Sequence, residues 1–246
     1  MLHLNKSVYQ IALRSASWIR SLTVEGFALA LTLTLRPLGY FTDQSRPDGF
    51  LGGRPILMVH GYLHDSSAWI FLKRHLRRLG FGPIYTVNLG YPFHSICNYA
   101  ESIAKKAEVI QEQTGRNDLV LIGHSMGGLV NAWYATKIAS FEKPLSVITI
   151  GSPLAGTHMA NIALGENGKQ MRRGSSFVDA LQQELSKNKK IPFYHIASRS
   201  DQIILPYSSA LTGLHPEREY VLENVGHMSL LMSPRVANKI SAWITP

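Results

Sequence analysis

A serine, an aspartate and a histidine occur along this chain in an order that suits nucleophilic catalysis. Ser125 is the centre of a G-x-S-x-G pattern, G-H-S-M-G at residues 123–127. Asp201 and His227 come later, each shortly after a short apolar segment. Such a trio can transfer an acyl group, because the serine hydroxyl attacks a carbonyl, the histidine takes its proton and the acid orients the imidazole. The sequence therefore predicts Ser125, Asp201 and His227 as catalytic residues.

The turn around Ser125 has the context that a nucleophile elbow requires. Residues 119–122 (LVLI) predict a strand buried on both faces, and residues 129–139 (LVNAWYATKIA) predict a helix. A serine at a sharp strand-to-helix turn leaves little room for side chains two positions away, which accounts for Gly123 and Gly127. A chance glycine-rich turn is the alternative, and the flanking strand and helix favour the elbow.

Further segments predict the elements that would bring the three residues together. Short apolar runs predict strands at 55–59, 83–89, 145–150, 192–197 and 219–222. Helical patterns between and after them, at 68–79, 96–113, 177–185 and 229–244, predict an α/β fold with a mostly parallel central sheet and helices on both faces. The carboxyl ends of parallel strands meet at one edge, where Ser125, Asp201 and His227 would all emerge. Their chain order is the one found with a nucleophile elbow.

Other histidines and acids compete for the two supporting roles. By position in the chain, the rivals of His227 are His94 and His158, and those of Asp201 are Glu223 and Asp179. Asp201 could also be a turn or cap residue. The remaining histidines are set aside because His124 lies inside the elbow, His195 lies within a strand, and His3, His64, His75 and His215 have no reason to reach this edge. His227 is favoured because it lies in the loop after the last predicted strand.

Loops after the predicted strands would complete the site. The first strand ends in H-G-Y at residues 60–62, where the glycine lets the backbone turn sharply. The backbone N–H groups of Tyr62 and Met126 are predicted to form a two-donor oxyanion hole. For His60, a structural role in which the ring bonds loop backbone is favoured over a chemical one. The residues predicted to contact substrate are His60, Gly61, Tyr91, Phe93 and Leu154.

Composition limits the classes of function. With 246 residues, of which 45% are hydrophobic, one domain with a sizeable core is expected. The single cysteine, Cys97, excludes an intrachain disulfide. The net charge of +9 comes from basic residues that are scattered, so nucleic-acid binding is not expected, and either a solvated surface or anionic lipid explains the charge. No metal-ligand spacing is present, so neither a metal nor a cofactor is predicted.

The first fifty residues predict a segment distinct from the catalytic domain. Residues 7–20 have the pattern of a basic amphipathic helix, and the apolar run at 26–35 is too short to span a bilayer unaided. A membrane anchor is slightly favoured over an element packed on the domain, and no clean cleavage site supports a signal peptide. A cytoplasmic or peripherally membrane-associated protein is thus favoured over a secreted one. Residues 42–54 predict a linker, so the expected division is 1–50 and 51–246.

Taken together, these motifs resemble the α/β-hydrolase superfamily over about residues 55–246, and within it bacterial triacylglycerol lipases and related esterases. The matching segments are M-V-H-G at 58–61, G-H-S-M-G-G at 123–128, G-S-P-L-A-G at 151–156 and the acid-to-proline turn at 201–206. The resemblance implies the α/β-hydrolase fold, hydrolysis of lipid or acyl esters, and Tyr62 and Met126 as oxyanion donors. A predicted lid-like excursion at about 157–176 is shorter than the lid domains of large lipases.

Other functions remain compatible with the same residues. An acyltransferase or a phospholipase would use the same serine, histidine and acid. A non-catalytic ligand-binding protein could share the fold, but such a protein would be expected to lose one member of the trio. Because all three residues stand at suitable positions, the sequence favours a serine enzyme acting on carboxylic esters.

Overall fold

The computed structural model describes residues 52–139 and 145–245, together with part of the chain before them. The earlier described residues are Thr23, Glu25, Gly26, Ala28, Ala30, Leu31, Thr34 and Leu35. The amphipathic helix predicted at 7–20 and most of the linker predicted at 42–54 lie outside the described residues. Within the described part, no helix is both long enough and apolar enough to cross a membrane.

A parallel sheet forms the centre of the catalytic domain. In the described ranges it has six strands: β1 Ile56–Val59, β2 Ile84–Val87, β3 Leu119–His124, β4 Leu145–Ile150, β5 Phe193–Ser198 and β6 Glu219–Leu222. The strand order is β2-β1-β3-β4-β5-β6, and every neighbouring pair is parallel. Every residue of β1, β3 and β4 is buried, as expected for strands covered on both faces. The predicted fold class is confirmed.

Helices cover both faces of this sheet. The described α-helices are α1 Ile70–Arg78, α2 Ile96–Thr114, α3 Met126–Trp133, α4 Gly165–Gln170, α5 Ser176–Lys187 and α6 Pro234–Ile244. Leu57 of β1 packs in a core with α2, α3 and α5, whereas its neighbour Met58 packs in a second core with α1 and α6. Successive strand residues point to opposite faces, so β1 contributes to both cores.

Two helix boundaries differ from the sequence prediction. The periodicity of the helix predicted at 68–79 places Leu79 on its inward face with Trp69, Leu72 and Leu76, but α1 ends at Arg78 and Leu79 is an exposed C-cap residue. The helix predicted at 229–244 is divided into a 3-10 helix, Ser229–Met232, and α6, which begins at Pro234. Proline has no N–H to continue a preceding helix, but its fixed φ suits the first turn of a new one.

The described residues between 23 and 35, called the N-terminal stretch below, have helical backbone and contact the domain at two points. Ala28 is buried in the core beside α1 and α6. The carboxylate of Glu25 accepts hydrogen bonds from Met228 and Ser229, directly after β6 and the loop that follows it. Through these contacts, the described residues of this stretch lie against the catalytic domain.

Candidate active site

Ser125 lies at a strained turn between β3 and α3. Its φ of 54° and ψ of −125° belong to a conformation that non-glycine residues rarely adopt. Its backbone N–H donates to Ile150 O at 2.9 Å, and its side chain does not cap α3. A Cβ at Gly127 would collide with the carbonyl oxygen of Val59, and one at Gly123 would collide with Gly127 itself. The steric reason predicted for both glycines is confirmed.

Asp201 and His227 form a buried pair at the same edge of the sheet. His227 Nδ1 lies 2.8 Å from Asp201 Oδ2, and the two side chains are 6% and 1% exposed. The other carboxylate oxygen, Oδ1, accepts the backbone N–H groups of Ile203 and Ile204 at 2.8 Å each. Asp201 is therefore both a turn residue and the partner of His227, and both of its oxygens are fixed.

Two glycines at the ends of β4 and β1 lie beside the Asp201–His227 pair and beside Ser125, respectively. Gly151 follows β4, and a Cβ placed on it would lie 3.1 Å from Asp201 Oδ2 and 3.4 Å from His227 Nδ1. A Cβ on Gly61, after β1, would lie 2.9 Å from Ser125 Cβ. Small residues at both positions thus let the loops approach the serine and the Asp–His pair closely.

The alternative acids lie apart from this cluster. The Glu223 side chain is 70% exposed and pairs with Arg199 at 3.5 Å. Asp179 is exposed on α5. Among the rival histidines, His94 contacts the rings of Tyr91 and Tyr99, and His158 is exposed on a 3-10 helix, His158–Asn161.

Two further histidines have structural contacts that fit the predictions. His60 is buried; its Nδ1 donates to Gly61 O at 2.9 Å, and its Nε2 accepts the N–H of Leu89 at 3.1 Å. This is the structural arrangement favoured from the sequence. His195 lies within β5 beside the Thr149 hydroxyl at 2.8 Å, and burial lowers the pKa of its imidazole to about 3.

His124 has a contact that the sequence did not predict. Although it lies inside the elbow, its Nε2 donates to the carbonyl oxygen of His227 at 3.1 Å, and the two ring centroids are 4.5 Å apart. Burial lowers the pKa of His124 well below its usual value, so the ring is neutral and can donate from Nε2. His64, which its position in the sequence does not place at this edge, is near enough to act electrostatically on His124.

The protonation of His227 is set by opposing influences. Burial lowers its pKa, whereas the charge of Asp201, the hydrogen bond to that carboxylate and the charge of Glu25 raise it. The net result is a pKa above the ordinary value for histidine. An imidazolium that forms at this position is thereby stabilised.

The segment predicted as a lid-like excursion, at about 157–176, is folded against the site. It contains α4, in which the amide of the fully buried Asn167 donates to Pro92 O at 2.8 Å and contacts Met126 Sδ at 3.4 Å. The Tyr62 hydroxyl donates to Leu164 O at 3.0 Å and accepts Leu164 N–H at 2.9 Å. The excursion therefore contacts both residues predicted to form the oxyanion hole.

The predicted substrate contacts differ in their exposure. Tyr91 is exposed and Phe93 half-buried, and their rings pack edge to face with centroids 5.7 Å apart. Leu154 is buried in the core with α2, α3 and α5, where it serves packing. In the ranges that the structure describes, no group of three or more His, Cys, Asp or Glu side chains is arranged to hold a metal ion.

Comparison with known proteins gives the family of this chain and a lipase among its relatives. A model of the alpha/beta hydrolase family matches residues 56–187, more than half of the chain. A triacylglycerol lipase of Burkholderia plantarii is 25% identical over 160 residues, which cover 62% of this chain and 43% of that protein. The chain thus spans less than half of the length of this curated relative.

Solved structures of lipases and esterases share the architecture. The mature form of Bacillus licheniformis lipase BlEst2 superposes with a TM-score of 0.66 at 15% identity, over 82% of this chain and 96% of that one. The naproxen esterase (carboxylesterase NP) of Bacillus subtilis superposes with a TM-score of 0.58 at 13% identity, over 81% and 86%. At such low identity, these likenesses establish the fold alone.

Proposed function

This chain belongs to the alpha/beta hydrolase family, and from that premise we propose that it is a serine hydrolase that cleaves carboxylic esters through Ser125, His227 and Asp201. The observation that carries the proposal is the buried His227–Asp201 pair, 2.8 Å apart, at the edge where Ser125 occupies a strained turn. The matched triacylglycerol lipase supports an ester as the substrate class.

In the proposed mechanism, Ser125 Oγ attacks the ester carbonyl while His227 Nε2 accepts its proton. Asp201 holds the Nδ1–H tautomer and stabilises the imidazolium. The backbone N–H groups of Tyr62 and Met126 bind the oxyanion, and each donor lowers the barrier by about 3 kcal/mol. The imidazolium then protonates the leaving alcohol, and an acyl-enzyme remains. Water activated by His227 releases the acid and regenerates Ser125.

An apolar rim around this edge supports substrates with hydrocarbon chains. Six large apolar side chains are exposed on the loops that follow β1, β2, β4 and β5, and Ile162 and Leu164 are 78% and 68% exposed. Large apolar side chains exposed together at one edge of a fold are typical of sites that meet lipids or other apolar partners. The residues of this apolar rim are Leu63, Tyr91, Ile162, Leu164, Ile203 and Leu205.

Contact with an anionic membrane surface is part of the proposal. The net charge of +9 and the basic amphipathic pattern at residues 7–20 both favour attraction to anionic lipid. The apolar rim would then face the lipid and admit an acyl chain from it.

Hydrolysis of p-nitrophenyl esters from acetate to palmitate tests the reaction class. We expect the wild type to hydrolyse these esters and Ser125→Ala to lose activity by roughly 10⁶-fold in kcat. The matched control is Ser186→Ala, which removes an exposed hydroxyl from α5 and should retain full activity. Hydrolysis by Ser125→Ala at the wild-type rate would rule out Ser125 as the nucleophile.

The lipid-facing role of the apolar rim has its own test. Ile162→Ser should lower hydrolysis of a long-chain ester presented in anionic vesicles severalfold, and leave hydrolysis of dissolved p-nitrophenyl acetate unchanged. Leu79→Ser is the control, because Leu79 is also exposed but follows α1. Equal loss on both substrates, or none on vesicles, would count against the rim as a lipid contact.

A further inference from the structure

The carboxylate of Glu25 lies against the backbone directly after His227, although the two are far apart in sequence. Its Oε1 accepts the N–H of Met228 at 2.5 Å, and its Oε2 accepts the N–H and the hydroxyl of Ser229 at 3.1 and 2.9 Å. Both oxygens of the carboxylate thus accept hydrogen bonds from the two residues that follow the histidine.

These N–H groups need an acceptor from elsewhere. They lie at the start of the 3-10 helix Ser229–Met232, whose N-cap residue, Met228, makes no side-chain cap hydrogen bond. The first N–H groups of a helix have no partner within it, and a carboxylate satisfies them with a charge-assisted bond. Glu25 therefore supplies, from the N-terminal stretch, the cap that the local sequence lacks.

Gly226, which directly precedes His227 in the sequence, makes room for this carboxylate. A Cβ at Gly226 would collide with Glu25 Oε2. The V-G-H-M segment at residues 225–228 is consequently built to receive a side chain at this position. Glu25 also acts electrostatically on His227 itself, because its charge is among the influences that raise the pKa of that imidazole.

We propose that Glu25 is a positioning residue for the reaction, one that fixes the backbone after His227 and biases the imidazole with its negative charge. The inference rests on the proposed function, since it assigns Glu25 a task only if His227 is the general base. Glu25 does not touch the substrate or Ser125 in this account. It acts through His227.

The pH profile distinguishes this role from simple anchoring of the N-terminal stretch. The groups that face His227 are the carboxylates of Asp201 and Glu25 and the neutral ring of His124. His64 and His60 lie close enough to His124 to lower the pKa of that ring electrostatically. As a base His227 must be neutral, which it is above its pKa. Removing the charge of Glu25 lowers that pKa, so the acid limb of kcat/KM should move to lower pH.

The experiment compares full-length wild type, Glu25→Gln, Glu25→Ala and Glu223→Gln in p-nitrophenyl ester hydrolysis across pH. Glu25→Gln keeps the shape and one acceptor but no charge, and its acid limb should lie at lower pH. Glu25→Ala should lose about tenfold in kcat with little change in KM, because the base is displaced. Glu223→Gln removes an exposed carboxylate from the same connection and should match the wild type.

Each outcome decides the inference. The inference would be overturned if the acid limb of Glu25→Gln coincided with the wild-type limb and Glu25→Ala affected only thermal stability. Ser125→Ala would remain inactive in that case, so the proposed function would stand. Activity that survives in Ser125→Ala would instead overturn the proposed function, and this inference with it. If Glu25→Ala does not fold, the limb of Glu25→Gln carries the test alone.

Discussion

Ser125 and His227 are held at the same edge of the sheet by different means. Ser125 is fixed mainly within its own turn, through a positive φ, close glycines and the hydrogen bond that its carbonyl oxygen accepts from Gly128, with one further backbone hydrogen bond to Ile150 of β4. The backbone of the His227 loop is held by side chains from remote parts of the chain. Ser198 Oγ donates to Val225 O at 2.5 Å, His124 donates to His227 O, and Glu25 accepts from Met228. A residue held by its own turn can be recognised from a short sequence motif, whereas a residue held by distant side chains cannot.

Among the variants that keep Ser125, the largest expected effect is on the histidine side of this comparison. Asp201→Asn should lower kcat by roughly 10⁴-fold, about 5 kcal/mol of barrier, because an amide favours the wrong tautomer of His227. The Asn side-chain oxygen can still accept the N–H groups of Ile203 and Ile204, so the turn should persist. Steady-state kinetics with p-nitrophenyl butyrate, together with thermal unfolding, checks both expectations.

Asp179→Asn is the matched control for that substitution. Asp179 is a carboxylate on the exposed face of α5, and the variant should keep the wild-type kcat. If Asp201→Asn retained more than a tenth of the wild-type kcat, the Asp–His pair would not be the orienting device described above.

The next largest effect is expected on the elbow side, and it concerns the stability of the protein. Gly127→Ala should lower the free energy of unfolding by about 3 kcal/mol, because its Cβ collides with the backbone of β1 and neither can move easily. Differential scanning calorimetry should show a Tm lower by roughly 10 °C for a chain of this size.

Gly26→Ala is the control for the elbow variant, since a Cβ at Gly26 meets nothing within 4 Å. Its free energy of unfolding should stay within about 1 kcal/mol of the wild type. A Gly127→Ala protein with unchanged Tm would mean that the turn around Ser125 is more adaptable than its geometry indicates.

The smallest effect is expected at His124, which belongs to both regions. His124 is the last residue of β3, directly before Ser125, and its side chain donates to the carbonyl oxygen of His227. His124→Phe keeps the ring volume but leaves the carbonyl of His227 without that donor, so kcat should fall about tenfold, equivalent to about 1.4 kcal/mol. His94→Phe, in a loop of the same edge, should change kcat by less than twofold; equal effects would remove His124 from the account.

The sequence was sufficient for most of the sheet and for the elbow because both depend on local patterns. Buried parallel strands are continuous apolar runs, and Ser125 lies between glycines whose steric reason can be worked out from the turn alone. The break before Pro234 and the exposure of Leu79 were missed at helix ends, where packing decides the boundary.

Long-range contacts could not be predicted in the same way. Glu25 meets the His227 loop across most of the chain, and nothing near it in sequence indicates a cap for that helix. The helix α4 was missed because its segment, G-E-N-G-K-Q, has no hydrophobic period; the buried amide of Asn167 holds it instead. The role of His124 was hidden for the same reason, since its partner is 103 positions away.

Labelling with a fluorophosphonate probe, followed by mass mapping of the modified peptide, tests the central claim most directly. The account predicts one probe per folded chain, attached to Ser125, with no labelling of Ser125→Ala and much slower labelling of Asp201→Asn, whose His227 is a poorer base. A folded wild-type protein that remains unlabelled, or that carries the probe on another residue, would contradict the assignment of Ser125 as a nucleophile activated by His227.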